Sequence, residues 1–180
     1  MLSENEAMEI LSSVENENLR KHMIAVAAIM EKLAEMLGEN VKEWKYAGLL
    51  HDIDYGMVGD EEHGLKSAEM LKGKLPENAL HAIRAHNEKT GYMPETKMDY
   101  ALRASDAASG LIVASALVMP NKKLEEVRLE TLKNKFKDKS FARRVERGGI
   151  MECEKLDISL DEFLSIALDA MKGIAERIGL

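Results

Sequence analysis

Cysteine occurs once in this sequence, proline three times, and the aromatic residues together make up 4% of its 180 positions. The single Cys153 has no intrachain disulfide partner and cannot build a cysteine metal site, so its expected place is that of a small buried apolar residue. Few aromatic and β-branched residues beside much Leu, Ala, Met, Glu and Lys disfavour sheet and favour helix, and the expected fold is all-α. No apolar run approaches the ~20 residues of a membrane span, and the acidic start Met1-Leu2-Ser3-Glu4-Asn5-Glu6 is unlike a signal peptide. A cytoplasmic location with no membrane partner is therefore expected. No Pro/Gly/Ser linker, low-complexity tract or internal repeat divides the chain, so residues 1–180 are read as one compact helical bundle.

Negative charge prevails but is unevenly spread. The net charge is −7, yet between Asn121 and Arg147 ten Lys or Arg face five Asp or Glu, a local +5 that leaves −12 elsewhere. Overall acidity argues against duplex nucleic acid as a partner. The basic stretch is suited to an anion such as phosphate, with Lys133, Lys135, Lys137, Lys139, Arg143 and Arg144 as candidate substrate-binding residues. A solvated helical face is the alternative for the same run, since helical spacing cannot put all six on one side.

The stretch Ala47-Gly48-Leu49-Leu50-His51-Asp52-Ile53-Asp54-Tyr55-Gly56 ends an apolar run in a histidine, an aspartate and turn-forming residues. In a helix expected from Val41 to about Asp52, residues Trp44, Ala47, Gly48 and His51 share one face, placing His51 at the rim of a core. His22 lies with Val26, Ile29 and Leu33 on a helix expected over Glu15 to Leu37 and closed by Gly38. Asp106 shares a stripe with Leu102, Ser109 and Val113 on a helix expected from Thr96 to Met119, stopped by Pro120. A carboxylate on an apolar stripe is costly unless it is paired or binds a cation. Two His and two Asp from three helices have the composition of a mixed nitrogen and oxygen site for a divalent metal.

The order His22, His51-Asp52, Asp106 resembles the H…HD…D pattern of the HD-domain superfamily of metal-dependent phosphohydrolases. The run from His51 through Phe141, with His63-Gly64, Ala82-Ile83-Arg84-Ala85-His86-Asn87, Gly110-Leu111-Ile112-Val113-Ala114 and Lys135-Phe136-Lys137-Asp138-Lys139-Ser140-Phe141, is similar to a branch of predicted HD hydrolases. The resemblance implies an HD-type metal core over about residues 16–119, a C-terminal helical extension over about 120–180, and one or two ions of Mn, Fe, Mg, Co, Ni or Zn. It also implies that Asp52 touches both metal and attacking water, or bridges two metals. His63 and the core-facing His86 are expected as ligands of a second ion, with packing histidines as the alternative.

The implied activity is phosphomonoester or phosphodiester hydrolysis of a small phosphorylated compound such as a nucleotide, by attack of a water that the metal activates. A non-catalytic metal- or nucleotide-binding module and an HD-type di-iron oxygenase are the competing readings. Relatives with an HDIGK word carry Lys where this chain has Tyr55, so a cyclic dinucleotide is not carried over as the substrate. Asp54 is expected to be a turn residue or a carboxylate that holds a ligand histidine.

The remaining expectations are structural. Ser3 with Glu6 and Ser159 with Glu162 have capping-box spacing, Gly64 to Leu71 is expected as a short helix, and Asp54 to Glu61 and Asn87 to Glu95 as loops. Helices are also expected over Lys122 to Phe136, Ser140 to Arg147 and Gly149 to Leu156, for seven to nine in all. His81 is expected at the surface or in packing, and the twelve methionines as core fillers.

Overall fold

Asn16 accepts a hydrogen bond from the backbone N–H of Leu19, which starts helix α2 (Glu17–Leu37), and Gly38 ends it in a left-handed conformation at φ +69°. Its apolar stripe, Met23, Val26, Ile29, Met30 and Leu33, is fully buried, each side chain contributing roughly 1.5–3 kcal/mol by removal from water. Helix α1 (Glu4–Ser12) precedes it, opened by the reciprocal Ser3 and Glu6 capping box. The structure is a computed structural model describing residues 2–180.

Helix α3 (Val41–Leu50), capped by Asn40, lies against α2. The approach is close because Gly48 has no side chain: a Cβ there would meet Met30 Cγ at 3.0 Å and the backbone of Ala27 at 3.1 Å. α3 ends at Leu50, two residues earlier than the periodicity predicts, so His51 is its C-cap and Asp52 lies in the turns that follow. Two short helices follow, α4 (Leu65–Met70) and α5 (Glu77–Ala85), and His86 is the C-cap of the second.

Helix α6 (Lys97–Leu117) is the central element, packed against α2, α3 and α5 on one side and the C-terminal helices on the other. Thr96 and Asp99 form its capping box, and its long run of Ala and Ser lets neighbours approach on nearly every face. Helices α7 (Leu129–Lys137), α8 (Arg147–Met151), α9 (Leu160–Lys172) and α10 (Ala175–Ile178) complete the bundle. Among the described residues there are ten α-helices, where seven to nine were expected, and no strand, as the composition predicts. None is long and apolar enough to cross a membrane.

Three local expectations are corrected. Residues 140–146 form turns rather than the helix expected over 140–147, and Arg147 opens α8: Ala142 adopts φ +45°, and the Arg147 guanidinium donates to the carbonyls of Lys135, Phe136, Asp138, Phe141, Ala142 and Val145. A side chain thus satisfies acceptors that a helical ladder would have used. The helix expected over 122–136 is broken at Val127 and Arg128, whose extended backbone separates a 3₁₀ turn at Leu124–Glu126 from α7. Methionine fills the core only in part, because Met36, Met57, Met70 and Met93 are exposed.

Candidate metal centre

Four of the five histidines converge on Asp52. Nε2 of His51, His63 and His86 lies 3.2, 3.1 and 3.3 Å from Asp52 Oδ1, and His22 Nε2 lies 3.6 Å from Asp52 Oδ2. Asp106 Oδ1 is 3.1 Å from His22 Nε2 and 4.0 Å from His51 Nε2. The fifth, His81, is half-buried elsewhere against Asp99 at 3.0 Å.

Each ring is turned by a bond to its other nitrogen. His51 Nδ1 donates to the Gly48 carbonyl at 2.8 Å, His86 Nδ1 to the Ile83 carbonyl at 2.5 Å, and His63 Nδ1 to Asp54 Oδ1 at 2.7 Å. The Ser109 hydroxyl spends its proton on the Asp106 carbonyl, so at 3.1 Å it accepts from His22 Nδ1. All four Nε2 atoms then present lone pairs to the same space. His63 and His86 Nε2 are 3.2 Å apart, a repulsive contact unless a cation or a proton lies between them.

The donor set fits divalent cations. With the rings neutral and protonated at Nδ1, His51 Nε2 and Asp52 Oδ1 are buried and have no hydrogen-bond partner, an expensive condition that a metal bond, or a proton on a neighbouring Nε2, removes. Metal bonds of about 2.1 Å place neighbouring ligands about 3.0–3.4 Å apart, as most of these contacts are. Two groups have ligand atoms close enough for one ion, His22 with His51 and Asp106, and His51 with Asp52 and His86. Asp52 stands between them with one oxygen toward each side.

Electrostatics describe the competition that such ions meet. Burial alone would lower the pKa of His63, but hydrogen bonds to Asp52 and Asp54 outweigh it and push it to about 10. On His22 burial is outweighed by Asp106 and then Asp52, and its pKa rises. His51, wholly buried, is pulled down to about 4 despite Asp52. Burial opposes charge on Asp52 as well, but His51 and the bonds from His63 and His86 hold its carboxyl well below the usual range. A proton and a metal ion therefore compete for the same Nε2 positions.

The HD domain family model matches residues 19–118, more than half of the chain and the whole interval from His22 to Asp106. This chain belongs to the HD-domain family. It is 35% identical to Ribonuclease Y of Lawsonia intracellularis over 138 residues, which cover 73% of this chain and 26% of that relative. It is 30% identical to Ribonuclease Y of Desulfotalea psychrophila over 171 residues, 90% of this chain and 32% of the relative. The chain thus spans about a third or less of these curated relatives. No solved structure shows significant similarity to it. HD domains belong to a superfamily of metal-dependent phosphohydrolases, and the His and Asp groups described could hold such a metal.

The basic candidates stand apart from this HD centre. None of Lys133, Lys135, Lys137, Lys139, Arg143 and Arg144 lines the three cavities that open onto the cluster. Lys133 pairs with Asp161 at 2.7 Å and Lys135 lies over the Phe141 ring. The cations near the centre are instead Lys21, Lys89 and Arg103, the last buried between Glu88 and Glu152.

Several supporting residues give no sequence motif of their own. Asn87 donates to the carbonyls of Asp60 and His63, pinning the loop that carries His63. Gly64, at φ +90°, lies where a Cβ would come within 2.7 Å of the Ile83 carbonyl and 3.0 Å of the His86 ring, so only glycine lets the two histidines meet. Ser109 was legible only as a neighbour of Asp106 on the same stripe.

Proposed function

We propose that this chain hydrolyses a phosphate ester of a nucleotide, as a mono- or diesterase, on divalent ions held by His22, His51, Asp52 and Asp106, with His63 and His86 completing a second position. The observation that carries the reading is the convergence of four Nε2 lone pairs and two carboxylates on one half-open space. Ions bound there would lower the pKa of a water toward about 7 and offset negative charge on the phosphoryl group. Mn, Fe, Mg, Co, Ni and Zn all suit imidazole mixed with carboxylate.

The protein's own part is orientation and proton handling. Asp52, acceptor-only at neutral pH, can receive the proton of an attacking water at whichever oxygen is nearer. Asp54, Ser109 and the carbonyls of Gly48 and Ile83 hold the four rings in the tautomer that keeps Nε2 free. A cavity of about 380 Å³ lined by Asn16, Asn18, Tyr55, His63 and Asp106 admits substrate over Asp52. Its size suits one nucleotide rather than a duplex, and the ribonuclease name of the relatives favours a nucleotide ester.

The test is metal analysis of the purified protein followed by nucleotide mono- and diesters with each of the six metals. Turnover above an Asp52→Ala control supports the proposal. Its absence with every metal and ester favours a binding module that retains the site without chemistry.

A further inference from the structure

The face of α6 that carries Asp106 continues past the metal centre as an apolar one. Gly110, Val113, Ala114 and Leu117 lie four, seven, eight and eleven residues beyond Asp106, the spacing of one helical face. Asn18 and Lys21 on α2 stand across from them beside His22, and Ile178 and Leu180 close the third side. Together they enclose a cavity of about 510 Å³ that begins at His22 and Ser109. With a rise of 1.5 Å per residue, the path from Asp106 to Leu117 runs about 16 Å along the helix. His22 lines both this groove and the cavity over Asp52, so the two meet at the cluster.

We propose that this groove holds the nucleoside part of the substrate, its phosphate at the cluster, its sugar near Asn18 and Lys21, and its base between Val113, Leu117 and Ile178. The assignment rests on reading the cluster as a phosphohydrolase centre. Small-ligand sites are mostly apolar with a few convergent polar groups, and here those groups are Asn18, Lys21, His22 and Ser109. The Asn18 amide can meet a sugar hydroxyl. Lys21, paired with Glu17 at 2.7 Å and with its ammonium beside Gly179, flanks the groove on the side of the C-terminal residues.

Further along the groove the side chains of Val113, Leu117 and Ile178 are aliphatic and offer faces for a flat ring but no hydrogen bond to its edge. The site therefore accepts a base by shape and stacking and does not distinguish purine from pyrimidine by its polar atoms. Leu117 and Val118 remain 49% and 54% exposed at the far end, apolar surface that an occupant would cover.

The experiment compares adenosine and cytidine phosphate esters with methyl and octyl phosphate esters in the metal-loaded full chain. Ala114→Phe fills the groove, and Leu117→Ala removes one wall at an exposed position where folding is not at risk. The expected result is a KM for both nucleotide esters about tenfold higher in Ala114→Phe, with kcat/KM for the methyl ester unchanged. Leu117→Ala raises the nucleotide KM by a smaller factor and carries the test alone if Ala114→Phe does not fold.

Equal losses on the methyl ester would overturn the assignment, as would unchanged nucleotide KM or a wild-type preference for the octyl ester. If the wild type turns over no ester, calorimetry with adenosine monophosphate reads the groove directly. Binding that weakens about tenfold in Ala114→Phe keeps the groove and removes the hydrolase reading, whereas no binding removes both.

Discussion

Asp54 Oδ1 accepts a 2.7 Å hydrogen bond from His63 Nδ1, and through it the other ring nitrogen is fixed 3.1 Å from Asp52. Its second oxygen takes the backbone N–H groups of Gly64 and Ser67, each at 2.8 Å, so the carboxylate is fully engaged and buried. An Asp54→Asn variant must turn its amide nitrogen toward one of these donors. We expect the second ion to bind about 10–100-fold more weakly, with the helical circular dichroism unchanged. A chelator competition titration measures this, and unchanged affinity would reduce Asp54 to a turn residue.

Metal stoichiometry tests the role of the two histidines beyond the His-Asp pair. The wild type should bind two ions, and the double variant His63→Ala, His86→Ala should bind one. Inductively coupled plasma analysis after dialysis counts them. One ion in both proteins, held equally well, would make His63 and His86 structural.

His63 also gives a pH dependence of known sign. In the metal-free protein its pKa is raised from 6.5 to about 10, so its contribution to stability is full below pH 6.5 and is lost as pH rises through about 10. Thermal melting of the metal-free wild type should fall over that window more steeply than that of His63→Gln. Metal affinity should run the other way, rising with pH as protons leave the ring nitrogens. Parallel melting curves for the two proteins would show that the Asp52 and Asp54 bonds do not hold a proton on this ring.

Gly48 sets the distance between the helices that deliver His22 and His51. In Gly48→Ala the added methyl group would lie 3.0 Å from Met30 and 3.1 Å from the Ala27 backbone. Overpacking of this kind costs about 1–3 kcal/mol. Urea unfolding should register that loss, accompanied by weaker metal binding as the two ligands separate. Unchanged stability would mean that the helices adjust freely at this contact.

The sequence showed the architecture where helical period, caps and residue chemistry agree. His22, His51 and Asp106 could be placed because each closes or interrupts an apolar stripe, and Thr96 marks a helix start by its side chain, whereas the start of α2 falls at Glu17 behind an Asn16 cap rather than at Glu15. The joining of α2 to α3 at Gly48 and of His63 to His86 at Gly64 was not legible, because a close approach leaves no periodic signal in either partner. The C-terminal third misled for a related reason. Residues 140–146 have helical composition, but the guanidinium of Arg147, which follows them, takes up the carbonyls of Phe141, Ala142 and Val145 and decides the backbone. Clustered positive charge likewise suggested an anion site, although charge along a chain does not say which way each side chain faces; Lys133 faces Asp161.

If Asp52 and its four histidines form a hydrolytic metal centre, activity must leave and return with the metal. The most direct measurement is hydrolysis of a nucleotide phosphodiester by protein stripped of metal and then titrated with Mn, compared with Asp52→Asn treated identically. The expected result is no activity when stripped, recovery that saturates with bound ion in the wild type, and at least a thousandfold lower rate in Asp52→Asn, about 4 kcal/mol of lost transition-state stabilisation. Activity that survives stripping, or an Asp52→Asn rate equal to wild type at full metal occupancy, would contradict it.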